Sequence, residues 1–250
     1  MKDQQVLKLG IIRERVESYL ADRSSFRAQS AGTNSLRFPE AGPAAALGAM
    51  SAYIHSPGKR LFDIIFATCA LTALAPLLLL TAAAVALTSD GPVLFRQRRS
   101  GLGGEPFEIL KFRSMFTDGG NEDAVVQATE SDPRITPLGK FLRRTSLDEL
   151  PQLINVLRGD MSIVGPRPHA IDHDELFARR APNYDVRFVT RPGITGLAQV
   201  CGARGPTPDK SSVVLRTNFD IEYVCHASFA LDMKIIFLTV GEIFESKTAF

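Results

Sequence analysis

Residues 64–87 read IIFATCALTALAPLLLLTAAAVAL, a run of 24 residues without a charged side chain. As a helix rising about 1.5 Å per residue, such a run is long enough to cross a hydrocarbon layer of about 30 Å. Its length argues against the buried core helix of a soluble domain. It lies too far along the chain for a secretory leader, and no small-residue cleavage pattern precedes it. The choice is between a span and a hairpin that enters and leaves on one face. Pro76 sits at the midpoint, where it removes a helical hydrogen bond and clashes with the preceding turn, so a sharp bend is expected there. Each arm of 12 residues then reaches about 18 Å, only part-way through the hydrocarbon. Lys59 and Arg60 precede the run, and Arg96, Arg98 and Arg99 follow it. A span would have to export one of these basic clusters, whereas a re-entrant helix exports neither. Thr72 and Thr81 are placed to help satisfy backbone groups at depth. A proline-kinked span is the alternative.

Outward from this run the chain divides into three parts. Residues 1–56 form an N-terminal extension: Leu7, Ile11 and Ile12 against Lys8, Arg13, Glu14 and Arg15 suggest a short amphipathic helix over 1–20. Residues 21–57, rich in Ala, Gly, Ser and Pro, read as a disordered linker. Residues 57–92 hold the re-entrant helix, and 93–250 form a third part, a separate domain. In "VLFRQRRSGLGGEPFEILKFRSM" (93–115) two short strands flank a glycine turn; Gly101, Gly103 and Gly104 lack the GK[ST] ending of a phosphate-binding loop. Leu138, Phe141 and Leu142, then Leu150, Leu153, Ile154 and Leu157, recur at helical spacing. An apolar helix around 230–244, carrying Asp232 and Lys234, reads as interfacial or core rather than as a second crossing. The fold class is α+β and helix-rich: a monotopic membrane protein with a proline-broken re-entrant helix, amphipathic interfacial helices and a small β-hairpin.

A formal net charge of +2 does not give the electrostatic footprint of a nucleic-acid binder. Cys69, Cys201 and Cys225 show no CxxC spacing, which argues for a reducing compartment and against zinc. The histidines form no HExxH motif, and His169 and His173, among Asp172, Asp174 and Glu175, read as part of an ordinary polar helix.

The chemistry concentrates in "TSLDELPQL" (145–153), where Asp148 and Glu149 are adjacent. Ser146 and Glu149 match the S-x-x-E capping box, but Pro151 would then sit inside the helix without its N–H. Either the helix starts later, with Asp148 as its cap, or it is kinked there for a reason. Consecutive helical residues point about 100° apart, so one carboxylate can hold a metal while the other faces a substrate. Arg143, Arg144, Arg158 and Arg167 nearby suit phosphate, and Mg²⁺ is the usual companion of oxygen ligands and phosphates. An aspartate beside a clamped diphosphate can act as a nucleophile.

Together, "KFRSM" (111–115), "DPRITPLGKFLRRTSLDELPQLINVLRGDMSIVGPRP" (132–168), "RPGITGLAQV" (191–200) and the Pro-broken apolar run resemble the bacterial sugar transferases, monotopic polyprenyl-phosphate phosphoglycosyl transferases. The likeness covers about residues 57–245 and is nearest to the short exopolysaccharide-production type. It implies transfer of a sugar-1-phosphate from a UDP-sugar to polyprenyl (undecaprenyl) phosphate with release of UMP, starting exopolysaccharide or related glycan assembly. It further implies Mg²⁺ dependence and a site on the cytoplasmic side of the bacterial inner membrane. By resemblance Asp148 is the covalent nucleophile and Glu149 the metal ligand, while Lys111, Arg113, Arg167, Asp220 and Arg204 belong at or near the phosphates. Homo-oligomers and other glycan-assembly proteins are further partners in that setting. The chain departs from the pattern at Ala198, where relatives often have Trp, at Gly202-Ala203-Arg204, where "GR" is usual, and at Ala75, where Ser often precedes the proline. Two competing readings are an inactive membrane scaffold and another Mg²⁺-dependent lipid phosphoryl-transfer enzyme.

Overall fold

The computed structural model describes residues 50–116, 132–203, 205, 207 and 209–245. The helix expected over 1–20 and the linker over 21–49 lie outside these. Residues 50–56 depart from the linker reading. Ser51 caps a 3-10 turn, Ala52–His55, by accepting from the Tyr53 N–H, and its hydroxyl donates to the Ala227 carbonyl at 2.6 Å. Ile54 is buried in the main core, so the folded body starts ahead of residue 57.

Helix α1, Pro57–Thr88, begins where the Ser56 side chain accepts from the Lys59 N–H and Pro57 fills a position that needs no donor. It runs on through Pro76, so the proline does not divide the segment into two separate helices. The hydroxyls of Thr68, Thr72 and Thr81 donate to the carbonyls four residues back, Ile64, Thr68 and Leu77. Such back-bonding bends helices. It does not supply the Thr72 carbonyl with the donor that Pro76 lacks.

Both ends of α1 are fastened to the same body. Near its start, Lys59 contacts Asp63 and, at 2.8 Å, Asp232, and Asp63 accepts from the Ser162 hydroxyl and the Ile163 N–H, each at 3.0 Å. At its far end Val85 packs with Phe112 and Leu142, and Arg113 donates to the carbonyl and hydroxyl of Ser89 and to the Pro92 carbonyl. Between Ala67 and Thr81 no residue of α1 is buried.

Strands β1 (Leu94–Ser100) and β2 (Pro106–Phe112) pair antiparallel across a turn in which Gly103 and Gly104 have φ of 69° and 79°, a left-handed backbone that glycine adopts without strain. Directly paired residues share a face, so the register Phe95 with Lys111 and Arg99 with Phe107 puts Lys111 and Arg99 on one side. Helix α2 (Pro137–Thr145) is capped by Thr136 and crosses the end of β2 so closely that a Cβ on Gly139 would lie 2.0 Å from the Ser114 carbonyl oxygen. Helix α3 (Gln152–Arg158) follows after a 3-10 turn, Leu147–Glu149. Its C-terminal carbonyls of Val156 and Leu157 accept from Arg60, which ties it to α1.

Strand β3 (Ser162–Val164) lies parallel to β4 (Gly193–Thr195). Here the "GPRP" and "RPGITG" motifs meet backbone to backbone: a Cβ on Gly193 would fall 2.1 Å from the Gly165 nitrogen. Helices α4 (Ile171–Ala178), α5 (Leu197–Val200), α6 (Lys210–His226) and α7 (Phe229–Glu245) complete the described chain, with a 3-10 segment at Tyr184–Val189. Leu153, Val156, Met161 and Val164 pack with Phe219, Tyr223, Val224, Leu231 and Ile235 in the core. The last helix is two-sided: Leu231 and Ile235 are buried, while Phe237 is 81% exposed and Phe229, Leu238 and Val240 also face outward. Asp232 on its inner side is fully buried and accepts from Tyr53 and Tyr223.

Candidate active site

Asp148 and Glu149 sit in the 3-10 turn between α2 and α3. Ser146 ends α2 in a left-handed conformation, φ 57°, and its side chain does not cap the turn, so the S-x-x-E box is not formed. Of the two readings of this stretch, the later helix start holds, but the residue before the helix is Pro151 rather than Asp148. A proline there gives up a donor that the first turn leaves unpaired in any case.

Glu149 turns to cations from two other elements. Lys111 of β2 reaches its Oε1 at 2.8 Å. Arg167, in the loop after β3, meets both oxygens, Nη1 to Oε2 at 3.1 Å and Nη2 to Oε1. Burial alone would raise the Glu149 carboxyl, but the Arg167 and Lys111 charges and hydrogen bonds outweigh it and hold the group well below the usual carboxylate range. Arg167 is raised in turn, by Glu149 first.

Asp148 is in a different state although it is the next residue. It is 7% exposed, and among the described residues no hydrogen bond or ion pair occupies its carboxylate. Burial pushes its carboxyl up, the Glu149 charge adds to this, and Lys111, Arg143 and Arg167 oppose it. Two adjacent carboxylates are thus driven apart: one clamped and held well below the usual carboxylate range, the other raised and uncommitted. That separation is the usual sign of divided chemical roles. Arg143, lowered by burial, is held by Ser114, its Nε donating at 2.9 Å.

The fit to magnesium follows from the same atoms. Glu149 Oε1 accepts from two cations and Oε2 from one, so Oε2 keeps a lone pair, and Asp148 keeps all of its own. Among the described residues no group of three His, Cys, Asp or Glu side chains is placed to hold a metal. Mg²⁺ is commonly held by one or two carboxylates together with substrate phosphates. The residues therefore fit the ion as the companion of a diphosphate, not as a metal caged by protein ligands alone.

Residues 54–246 match the family described as bacterial sugar transferase. The chain belongs to the bacterial sugar transferase family. It is 50% identical over 192 residues to the UDP-glucose:undecaprenyl-phosphate glucose-1-phosphate transferase of Escherichia coli (strain K12), covering 77% of this chain and 41% of that protein. A protein of the same name in Caulobacter vibrioides is 49% identical, with 77% of this chain and 72% of the relative covered. The exopolysaccharide production protein PSS of Rhizobium leguminosarum bv. phaseoli is 49% identical over 185 residues, 73% of this chain and 92% of that one. The chain thus spans less than half of the Escherichia coli relative and nearly all of the Rhizobium one.

Within this sugar transferase fold, the residues singled out from sequence separate into groups. Asp148, Glu149, Lys111 and Arg167 converge. Arg113 does not join them: its guanidinium is spent on the end of α1, at Ser89 and Pro92, so its position in "KFRSM" is structural. Asp220 stands behind the site, ion-paired at 3.2 Å with Arg187, which in turn donates to the Arg167 carbonyl. Arg204 lies outside the described residues. Ala198 is buried, and its carbonyl accepts from the Ala203 N–H at 2.9 Å.

Two residues escaped sequence reasoning. His169 is not part of a polar helix but is buried before α4, its Nδ1 2.7 Å from the Tyr184 hydroxyl and 2.6 Å from Arg187. Arg187 gathers Tyr184, Asp174 and Asp220 around one buried guanidinium. A lone Arg in "YDVRFV" carries no local signal for this; only the "GPRP" loop it supports does.

Proposed function

We propose that this protein transfers a sugar-1-phosphate from a UDP-sugar to a polyprenyl phosphate, in two steps through Asp148, as an initiating step in exopolysaccharide or related glycan assembly. The observation that carries the reading is the divided dyad: a raised, unpartnered Asp148 beside an ionised Glu149 held by Lys111 and Arg167. In the first step an Asp148 carboxylate oxygen bonds to the sugar-bearing phosphorus, and the bond from that phosphorus to the bridging oxygen breaks, releasing UMP. In the second step an oxygen of the lipid phosphate attacks the same phosphorus and returns Asp148 as a carboxylate. Lys111, Arg143 and Arg167 balance the charge of both anionic substrates, and fixed cations at developing charge are an efficient form of rate enhancement. Magnesium, when bound with the donor at Glu149, would neutralise diphosphate charge.

The membrane placement is part of the proposal. Burial of Lys59, Asp63 and Ala67 at one end of α1 and of Thr81 and Val85 at the other, with the stretch between uncovered, supports a helix that dips into the bilayer and returns to the same side. Outward Phe237, Leu238 and Val240 on α7 suit an interfacial helix. The site then lies on the cytoplasmic side of the bacterial inner membrane, at the depth of lipid phosphate.

Several relatives near 50% identity are named for UDP-glucose, which makes it the first donor to test. Purified protein in detergent with Mg²⁺ should release at most one UMP per enzyme from UDP-glucose or another UDP-sugar without lipid, and turn over repeatedly only when undecaprenyl phosphate is present. Lipid-dependent UMP from no member of a UDP-sugar panel would reject the reading and favour a scaffold role.

A further inference from the structure

We infer that Arg99 is a further phosphate-binding residue of this site, its guanidinium taking an oxygen of one of the two phosphate substrates. The inference rests on the proposed function and deepens it.

The hairpin register places Arg99 on the same face as Lys111, whereas Arg96 and Arg98 face the other way. An isolated antiparallel bridge to Ala170 and a 3.3 Å bond from Nη1 to the Pro168 carbonyl hold it against the loop that carries Arg167. Nη2 donates to the Gln97 side-chain oxygen at 2.5 Å. The neighbouring Ser100 and Gly101 line a recess together with Pro166, Arg167 and Arg187.

Neutral partners and a buried Nε–H are features Arg99 shares with the structural Arg113; what sets Arg99 apart is its place beside Lys111 and Arg167. The partners of Arg99 are neutral oxygens, and among the described residues no carboxylate is ion-paired with it. Its Nε–H, like that of Arg113, is buried without an acceptor. Its charge also lies among like charges: burial first, then Arg167, push it down to about 10, and Lys111 is lowered in part by Arg99. Arg99 joins Lys111, Arg143 and Arg167 around Asp148 and Glu149, with Glu149 and Asp174 the carboxylates that act on Arg99 itself. A surplus of buried positive charge with an unused planar donor suits a phosphate oxygen, which arginine recognises through directed hydrogen bonds.

The test uses the full-length protein in detergent with Arg99→Gln, which keeps a donor for the Pro168 carbonyl, and Arg99→Lys, which keeps the charge. Thermal protection by UDP and by inorganic pyrophosphate, with Mg²⁺, reads binding without turnover. The midpoint shift given by either probe should fall by at least half in R99Q and be partly restored in R99K, with little change in the unliganded midpoint. In steady-state assays the donor KM rises about tenfold if Arg99 holds the diphosphate, and the acceptor KM does so if it holds the lipid phosphate. Equal protection of wild type and R99Q with both KM values unchanged would overturn the inference, as would a loss confined to the unliganded midpoint. Failure of the proposed function reads differently: wild type itself would then give no lipid-dependent UMP.

Discussion

At the scale of single residues, the pair Asp148–Glu149 shows how neighbouring identical charges acquire opposite properties. Glu149 stabilises the fold as an anion between Arg167 and Lys111, and removing it leaves two half-buried cations facing each other. Glu149→Gln should lower unfolding stability by about 3 kcal/mol, measured by denaturant titration, in line with the loss of one partner of a buried pair. The sign of the pH dependence follows from its depressed folded pKa. Its contribution is present above the unfolded value of about 4.3 and is lost as pH falls towards the folded one. Wild type should therefore lose stability more steeply than E149Q below about pH 4. Asp148 is the opposite case, since the attack proposed for it requires its ionised form and its carboxyl is raised. The acid limb of kcat/KM should fall above the ordinary aspartate value of about 3.9 and move when Arg143→Gln removes an opposing charge; a limb at or below that value would contradict the assignment. The adjacency of the two acids was legible in "SLDELP", and so was the conflict between capping box and proline. Which acid would be clamped was not, because both clamping cations come from distant parts of the chain.

At the scale of elements, the strong sequence signals were those in which chain conformation and local chemistry agree. The glycine turn after Arg99 and the helix carrying Leu138, Phe141 and Leu142 formed where their residues called for them. Misreadings arose where a residue's role depends on a remote partner. Arg113 shares a motif with Lys111, but it lies one residue past the end of β2, where strand alternation no longer sets its direction, and its guanidinium meets the end of α1. Arg113→Ala should therefore reduce stability by about 2 kcal/mol through the lost charged hydrogen bonds while leaving the donor KM within twofold; a tenfold rise in KM at unchanged stability would return Arg113 to the phosphate site. Likewise, the glycines of "GPRP" and "RPG" look like flexible loop residues, yet Gly165 and Gly193 are where two backbones meet too closely for a methyl group. Gly193→Ala should cost at least about 2 kcal/mol and displace Arg167, reducing activity beyond what the loss of folded protein explains.

At the scale of the whole molecule, the composition of α1 called for a membrane, but the path through it depends on what the ends touch. The sequence pointed to a hairpin from Pro76 and from basic residues on both flanks. The structure adds that Lys59–Asp63–Asp232 and Arg113–Ser89 fasten both flanks to one body, an observation no periodicity contains. In a cysteine-free background, single cysteines at Gly58 and Asp90 should both resist a membrane-impermeant maleimide added to intact cells and both react in inside-out vesicles. Labelling of one but not the other in intact cells would require a true span. The account as a whole converges on one carboxylate. The most direct measurement is the mass of the peptide containing residue 148 after brief exposure to a UDP-sugar substrate and Mg²⁺ without lipid acceptor, followed by acid quench. The account predicts an added sugar-phosphate on Asp148, discharged by undecaprenyl phosphate and missing from D148N. Lipid-dependent transfer by D148N at the wild-type rate, or a modified residue other than Asp148, would contradict it.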